Sequence, residues 1–454
     1  MSALWTSAEI ESATLGKASR PFAASGISID TRTLKDGDLY LAIKGEKRDG
    51  HDFVSAAFKA KAAAALVSNR FEGSNGALLS VANTQRALED LACASRARSS
   101  AKIVAVTGSA GKTTTKEMLR LAFGALGQTH ASSGSLNNHW GVPLSLASLP
   151  REAAFGVFEI GMNHFGEIHA LVPFVRPHAA LITTVVAAHL EFFGSCEAIA
   201  DAKSEIFEGI VPGGAALIPF DNPYAERLIA RAKQCHVARI LGFGGKAGSD
   251  ARLLAYDESG DGARVKADIL GQPVEFRIGA PGAHIAANAL GALLCVAAAD
   301  GDVLNAAAAL KEFSALKGRG ARFTAGGIAV IDESYNANPA STAAALALLG
   351  KASGRRIAVL GDMLEMGPEA PAHHAGLKEA IETARADLVF LCGPLMKALW
   401  DVLPAQQRAA YAPNSTVLAP GVVSTLKVGD TVLVKGSNGS RMSVIVDALK
   451  ARAA

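Results

Sequence analysis

The sequence predicts an α/β protein of three units. These are an N-terminal α/β unit, a central parallel sheet built round a mononucleotide-binding P-loop, and a smaller doubly wound, Rossmann-like C-terminal unit. Three observations predict this. Short apolar runs alternate with helical patterns through the second and third parts of the chain, as parallel strands joined by crossover helices do. A glycine-rich turn, Val106-Thr107-Gly108-Ser109-Ala110-Gly111-Lys112-Thr113-Thr114, stands directly after a strand pattern and before a helical one. The 454 residues, 50% hydrophobic and 19% charged, supply apolar material for about three domains.

In the first unit, 1–98, Leu39, Leu41 and Ile43 alternate with Tyr40 and Ala42, the pattern of a half-buried strand. Thr84 opens a helix with Leu88, Leu91 and Ala92 on one face, closing in the polar stretch 95–100. The second unit, 99–313, opens on a strand at 102–107. Strands follow at 157–160, 180–186, 215–218 and 239–242, then an alternating sheet-like stretch at 253–277 and a helix at 284–299. The charge-free run 285–299 is about 15 residues long against the roughly 20 that a bilayer requires, so it reads as a buried helix and no membrane span is expected. The third unit, 314–454, has strands at 328–331, 357–360, 388–391 and 431–434 with helices between.

Composition narrows the function. The 45 Lys and Arg against 42 Asp and Glu leave a net charge of +3, too little for a nucleic-acid footprint. It suits anionic small molecules held by a few placed cations. The five cysteines form no CxxC pair, which argues against a zinc module or a disulfide framework. Glu9 and Glu11 stand in an amino terminus without an apolar core, which does not read as a signal peptide, and a cytoplasmic protein is expected.

The glycine-rich turn carries the strongest chemical signal. Its glycines let backbone N–H groups approach phosphate oxygens, and the following helix amino end adds a positive dipole. Lys112 can reach β- and γ-phosphates and the Thr113 hydroxyl can ligate Mg²⁺. The general pattern has glycine where Val106 stands, so this is the tighter TGxxGKT subtype. Glu159 and His189 follow the next strand patterns, where open α/β sheets bind ligands, and suit a phosphate-bound metal. Alone, Glu159 also fits a cap of the next helix and His189 a satisfied, partly buried histidine. Lys203 reads by default as an exposed helix lysine. The adjacent amides Asn137 and Asn138 read as loop hydrogen bonders. The run 242–248 fails the GxGxxG spacing and reads as a loop.

Together these residues resemble the Mur ligase family, the ATP-dependent amide-forming ligases of peptidoglycan synthesis, over nearly the whole chain. At the front the resemblance rests on Asp30-Thr31-Arg32, Gly37-Asp38-Leu39, Lys44-Gly45 and Asp49-Gly50-His51-Asp52-Phe53. In the centre it rests on 107–114, Asn137-Asn138 with Gly141-Val142-Pro143-Leu144, Glu159-Ile160-Gly161, Ala187-Ala188-His189-Leu190-Glu191, Ala202-Lys203-Ser204-Glu205 and Gly282-Ala283-His284 with Asn288. At 284–285 the family often has His-Asn, and Ile285 departs from that. Gly318-Arg319, Asp332-Glu333-Ser334-Tyr335-Asn336-Ala337-Asn338-Pro339, Gly361-Asp362-Met363 and Val434-Lys435-Gly436-Ser437 complete the set. The 332–339 motif resembles the member that joins UDP-N-acetylmuramoyl-tripeptide to D-alanyl-D-alanine. A sibling that adds diaminopimelate carries Asp-Asn-Pro-Arg in its last domain, whereas here Asp221-Asn222-Pro223-Tyr224 lies in the central one.

The resemblance implies roles residue by residue. ATP would lie on Thr107, Gly108, Ser109, Ala110, Gly111, Lys112, Thr113 and Thr114, with Asn288, Arg319 and Asp332 completing its site across the cleft. Mg²⁺ would be held through Thr113, Glu159 and His189, with Lys203 matching a lysine that is carbamylated in several relatives and supports a metal. Lys112, Glu159, His189 and Lys203 would be catalytic. The sugar nucleotide would meet Thr31, Arg32 and Lys44, with Asn138, Asn336 and Asn338 also on substrate. The protein is expected to act as a monomer. A sibling ligase adding a single amino acid and a non-catalytic P-loop nucleotide-binding protein are the alternatives.

Overall fold

A computed structural model describes residues 3–69, 71, 75–259 and 262–452. Three principal sheets follow one another along the chain. The first has five strands, in the order Lys17–Ala18, Leu78–Val81, Ala64–Ser68, Asp38–Leu41 and Gly26–Ser28; all are parallel except the first. The expected half-buried strand is instead buried throughout, with Leu39, Tyr40, Leu41 and Ala42 each at most 1% exposed. Helices and loops cover both faces of this parallel sheet, so alternation in size does not translate into alternation in exposure. The helix Thr84–Arg98, capped by the Asn83 side chain, closes inside the polar stretch 95–100, as expected. Its last turn has structural work as well: Arg96, buried, donates to the Val175 and Arg176 carbonyls at 2.9 and 2.8 Å, satisfying the end of a helix in the second unit. Trp5 adds a second tie, its indole N–H donating to the Ala147 carbonyl at 2.8 Å.

The central sheet has nine strands, in the order Gln272–Ile278, Gly262–Ile269, Ala251–Ser259, Arg239–Gly244, Ala215–Pro219, Ala179–Ile182, Lys102–Thr107, Phe155–Glu159 and Thr129–Ala131. The antiparallel hairpins at one edge are the alternating stretch anticipated at 253–277. Lys102–Thr107 lies between Ala179–Ile182 and Phe155–Glu159, parallel to both, with Glu159 beside Val106 and Ile182 beside Thr107. The carboxyl ends of these three strands therefore open at one place. The strand anticipated at 180–186 stops at Ile182 because its next groups serve the glycine-rich loop. The Thr183 hydroxyl donates to the Ala110 carbonyl at 2.5 Å, and the Thr184 carbonyl accepts from Ser109 N–H at 2.8 Å. Gly242-Phe243-Gly244, read as loop, belongs to the strand Arg239–Gly244; the Phe220 ring lies so close to Gly242 that a Cβ there would sit 2.1 Å from it. Helix Ala283–Ala298 is the buried apolar helix, packed within the central core. Among the described residues no helix is long and apolar enough to cross a membrane.

The third sheet has six strands, in the order Ala321–Ala325, Ile328–Glu333, Thr431–Lys435, Arg356–Gly361, Leu388–Cys392 and Arg408–Ala412, parallel except for the first. The two edge strands are additions to the sequence reading.

Candidate active site

The P-loop joins the strand Lys102–Thr107 to the helix Lys112–Gly124. Gly108 has φ +150° and a Cβ on it would meet the Thr183 hydroxyl at 1.9 Å. Gly111 caps the helix at φ +81°, and a Cβ there would lie 2.9 Å from the Asn288 amide. Both are positions only glycine fills without displacement. Gly108→Ala is expected to lower Tm by several degrees and weaken ATP-analogue binding at least tenfold, on the order of the cost of overpacking and left-handed strain. Differential scanning fluorimetry and titration calorimetry check both outcomes.

The Lys112 ammonium donates to the Gly108 carbonyl at 2.7 Å. Burial pushes its pKa down and the nearby Arg319 charge adds to this, while Glu159 opposes both. The Thr113 hydroxyl donates to Glu159 Oε2 at 2.8 Å. Glu159, 1% exposed, also accepts from Asn137 Nδ2 at 2.7 Å through Oε1. The helix-cap alternative for Glu159 falls away, because the next helix, Glu167–Val175, is served by Glu205. That carboxylate takes the Gly166 and His169 N–H groups, each at 2.9 Å. Asn137 lies on a segment gripped from the P-loop helix by Lys116, whose fully buried ammonium donates to the Ser132 and Gly134 carbonyls at 2.7 and 2.8 Å.

Lys203 overturns its default reading. It sits on Cys196–Ser204, is 1% exposed, and its ammonium makes no hydrogen bond or ion pair among the described residues. Desolvation holds its pKa well below the ordinary lysine value, with the Lys112 charge adding to the effect. It is a buried amine biased to the neutral form. His189 pairs through Nδ1 with Glu365 Oε2 of the third unit, 176 residues away.

The third unit closes over this centre at a second point. Arg319 stacks 3.8 Å over the Tyr335 ring and donates to Ser135 Oγ at 3.2 Å, and the Tyr335 hydroxyl donates to the same oxygen at 2.8 Å. Asp332, 1% exposed, holds the arginine's loop by accepting from Gly318 N–H at 3.0 Å, and also accepts from the Ser334 hydroxyl at 2.6 Å. Asn338 caps the helix Pro339–Gly350 in a reciprocal arrangement with Ser341, and Asn336 accepts from Ala337 N–H. Asn138 likewise accepts from Trp140 and Gly141 N–H groups. The side-chain oxygens of all three amides are thus engaged locally.

A cleft of about 1740 Å³ opens between the first and second units, lined among others by Thr31, Arg32, Lys47, Arg48, Trp140 and Ser135. Arg32 is exposed and paired with Asp30, whose pKa its guanidinium lowers to about 2. Lys44 is exposed and stands outside the lining described, although its neighbours Gly45 and Lys47 are part of it. Asp221 and Asn222, the start of the central-unit Asp-Asn-Pro-Tyr, have structural work: Asp221 accepts from Gly245 and Lys246 N–H, and the Asn222 amide donates to the Thr184 hydroxyl and the Val185 carbonyl. Sequence reasoning did not single out Ser135, Asn137 (as a partner of Glu159), Thr183, Lys116 or Glu365. Of these, only the Asn137-Asn138 pair carried a local signal.

A P-loop at the carboxyl edge of a parallel sheet, flanked by a buried carboxylate and a buried amine and roofed by a second α/β sheet, defines an α/β nucleotide-site protein built of several domains. Comparison with known proteins places it more closely. The models of the Mur ligase family catalytic domain, the Mur ligase middle domain and the Mur ligase glutamate ligase domain match residues 23–110, 106–296 and 318–438. The UDP-N-acetylmuramoyl-tripeptide--D-alanyl-D-alanine ligase of Rickettsia prowazekii is 32% identical over 446 residues, covering 98% of this chain and 99% of its own. The protein of the same name from Escherichia coli is 35% identical over 93% of both chains. A crystal structure of MurF from Acinetobacter baumannii matches with a TM-score of 0.87 at 29% identity, covering 98% and 99% of the two chains. MurF ligase from Thermotoga maritima, solved with ADP, shares the fold with a TM-score of 0.79 at 24% identity, covering 94% and 97%. The chain belongs to the Mur ligase family.

Proposed function

We infer that this protein joins UDP-N-acetylmuramoyl-tripeptide to D-alanyl-D-alanine at the expense of ATP, making a peptidoglycan precursor. The observation that carries the reading is the meeting of Lys112, Thr113 and Glu159 with Lys203 on one side and the third unit's Arg319 on the other. The tripeptide carboxylate attacks the γ-phosphorus, the β–γ bridge breaks, and ADP leaves an acyl phosphate. The amine of D-alanyl-D-alanine then adds to the acyl carbon; phosphate departs and the nitrogen loses its proton. Lys112 offsets repulsion between carboxylate and triphosphate as charge develops. Arg319 adds a second cation from the closing unit, and closure excludes the water that would hydrolyse the acyl phosphate.

Thr113, Glu159 and His189 would hold Mg²⁺, which supplies charge neutralisation on the transferring phosphoryl group. The Thr113 hydroxyl and the Glu159 carboxylate meet at 2.8 Å and fit such an ion; His189 joins them through the resemblance. Mg²⁺ accepts such few protein ligands where phosphate oxygens complete its shell. Lys203, buried and biased neutral, has the form of amine that adds CO₂ to become a carbamate.

Residues 1–98 would bind the sugar nucleotide at the 1740 Å³ cleft, with Thr31 and Arg32 at the UDP end, while Lys44 and Asn138, outside the lining but next to Gly45 and His139 of it, would meet substrate from its rim. Residues 99–313 would bind ATP, and 314–454 would close on it through Arg319 and Asp332, with Asn336 and Asn338 facing substrate. One chain carries every residue used, which fits a cytoplasmic monomer drawing on cytoplasmic nucleotides.

Purified protein given ATP, Mg²⁺, UDP-N-acetylmuramoyl-tripeptide and D-alanyl-D-alanine is expected to release ADP, with release falling to background when either substrate is omitted. Diaminopimelate or lysine offered in place of the dipeptide should give no more than background. ADP release that ignores the dipeptide would sink the reading.

A further inference from the structure

Glu365 lies outside every motif used above, yet it is the third unit's side-chain contact to His189. Its carboxylate meets His189 Nδ1 at 2.5 Å. Both residues are non-glycine positions in left-handed backbone, His189 at φ +58° and Glu365 at φ +62°. Such conformations persist where the surroundings over-determine them. Here they do. The Glu365 carbonyl accepts from Glu191 N–H at 3.1 Å, and Gly367, at φ +68°, comes so close that a Cβ would lie 3.3 Å from Glu191 Cα. From behind, Met363 N–H donates to His374 Nε2 and Leu364 N–H to Ser437 Oγ, each at 2.9 Å. Ala187 and Leu190, either side of the histidine, pack on the third unit's core. The pair is thus an anchored contact between two units rather than a pair of mobile surface chains.

A neutral imidazole has one N–H and one lone pair, and a carboxylate on Nδ1 decides which nitrogen keeps the proton. We propose that Glu365 is a positioning residue that holds His189 as the Nδ1–H tautomer, so that Nε2 is offered to a divalent cation only while the third unit is docked. The inference rests on the assignment of His189 to the Mg²⁺ site. It deepens that assignment by making cation affinity depend on domain docking through one hydrogen bond.

The test uses the full chain as wild type, Glu365→Gln, Glu365→Ala and Lys351→Ala. The last removes a different contact between the same units, the Lys351–Glu258 ion pair at 2.9 Å. Long-range ¹H–¹⁵N spectra of histidine-labelled protein, with the His189 signal assigned through His189→Gln, report the tautomer. Electron paramagnetic resonance titration of Mn²⁺ in the presence of β,γ-methylene-ATP reports cation affinity. Wild type should show the proton on Nδ1. Glu365→Ala should lose that preference and bind Mn²⁺ about 10- to 100-fold more weakly, the usual cost of losing an outer-shell partner. Glu365→Gln, which keeps an acceptor without the charge, should fall between, and Lys351→Ala should leave the tautomer unchanged. Unchanged tautomer or affinity in Glu365→Ala overturns the proposal, as does an equal loss in Lys351→Ala, which would trace the effect to docking alone. Wild type that binds no Mn²⁺ with the nucleotide analogue overturns the metal-site assignment itself. Normal binding and turnover with an indifferent Glu365→Ala overturns only the tautomer role.

Discussion

Lys112→Ala is expected to reduce ADP release with both substrates present by about 10²-fold or more, the scale of removing one preorganised charge-stabilising group. The side chain projects from the first residue of the P-loop helix and folds back onto the Gly108 carbonyl of its own loop. Its charge is held there at a cost, since burial and the nearby Arg319 both push its pKa down. A cation maintained against desolvation has its use when negative charge arrives, and that charge is greatest as the acyl phosphate forms. The loss should therefore fall on kcat more than on KM for ATP. Stability should change little, because the structure loses one hydrogen bond worth about 1 kcal/mol. Steady-state kinetics beside a thermal melt separate the two effects. Full turnover by the variant would count against the phosphate assignment, and a collapse of the melt would leave Lys112 a structural residue.

The legible parts of this molecule are those whose physics is local. Buried parallel strands are apolar whatever they pack against, so 102–107, 215–218 and 357–360 stand out as runs, and the structure places strands at Lys102–Thr107, Ala215–Pro219 and Arg356–Gly361. Edge strands bury one face only. Ala321–Ala325, with Arg322 and Thr324 exposed, and Arg408–Ala412 carry too mixed a pattern to be read. The stretch 183–186 misleads in the opposite direction: Thr and Val look like strand, but their backbone and hydroxyl groups go to the P-loop.

At the site, the glycine-rich turn is readable because its geometry is self-contained, a strand, two left-handed glycines and a helix amino end. Glu159 and His189 are readable only as polar residues at strand ends. Their partners Asn137 and Glu365 come from elsewhere, 22 and 176 residues away, and no local pattern marks Glu365. Lys203 shows the limit most clearly. Lysines are seldom fully buried, so the default reading is exposure, and only tertiary packing reverses it: the helix that carries Lys203 sets Ile199, Ala200 and Ala202 into the core on the sheet face opposite the P-loop helix.

That buried lysine carries the second large effect, and the sign of its influence on stability is opposite to its influence on activity. Desolvation, with Lys112 adding, depresses the folded-state pKa of Lys203 far below the 10.5 of an ordinary lysine. Between those two values the unfolded chain binds a proton that the folded chain does not. Stability contributed at this position therefore rises with pH across that window and falls as pH is lowered through it. Lys203→Met keeps the side-chain length and removes the amine. In CO₂-stripped buffer its Tm should exceed that of wild type at neutral pH, and the gap should narrow as pH approaches 10.5. Turnover should nevertheless fall by about 10²-fold, as for loss of a charge-placing group at the reacting centre. Added bicarbonate should raise wild-type turnover and leave the variant unmoved, since only the wild type retains an amine to carbamylate. A ¹³C carbamate resonance present in wild type under labelled bicarbonate and missing in Lys203→Met would assign the adduct. A variant less stable than wild type at neutral pH would mean the amine has a partner that offsets its burial, and the argument for a neutral, CO₂-accepting lysine would fail with it.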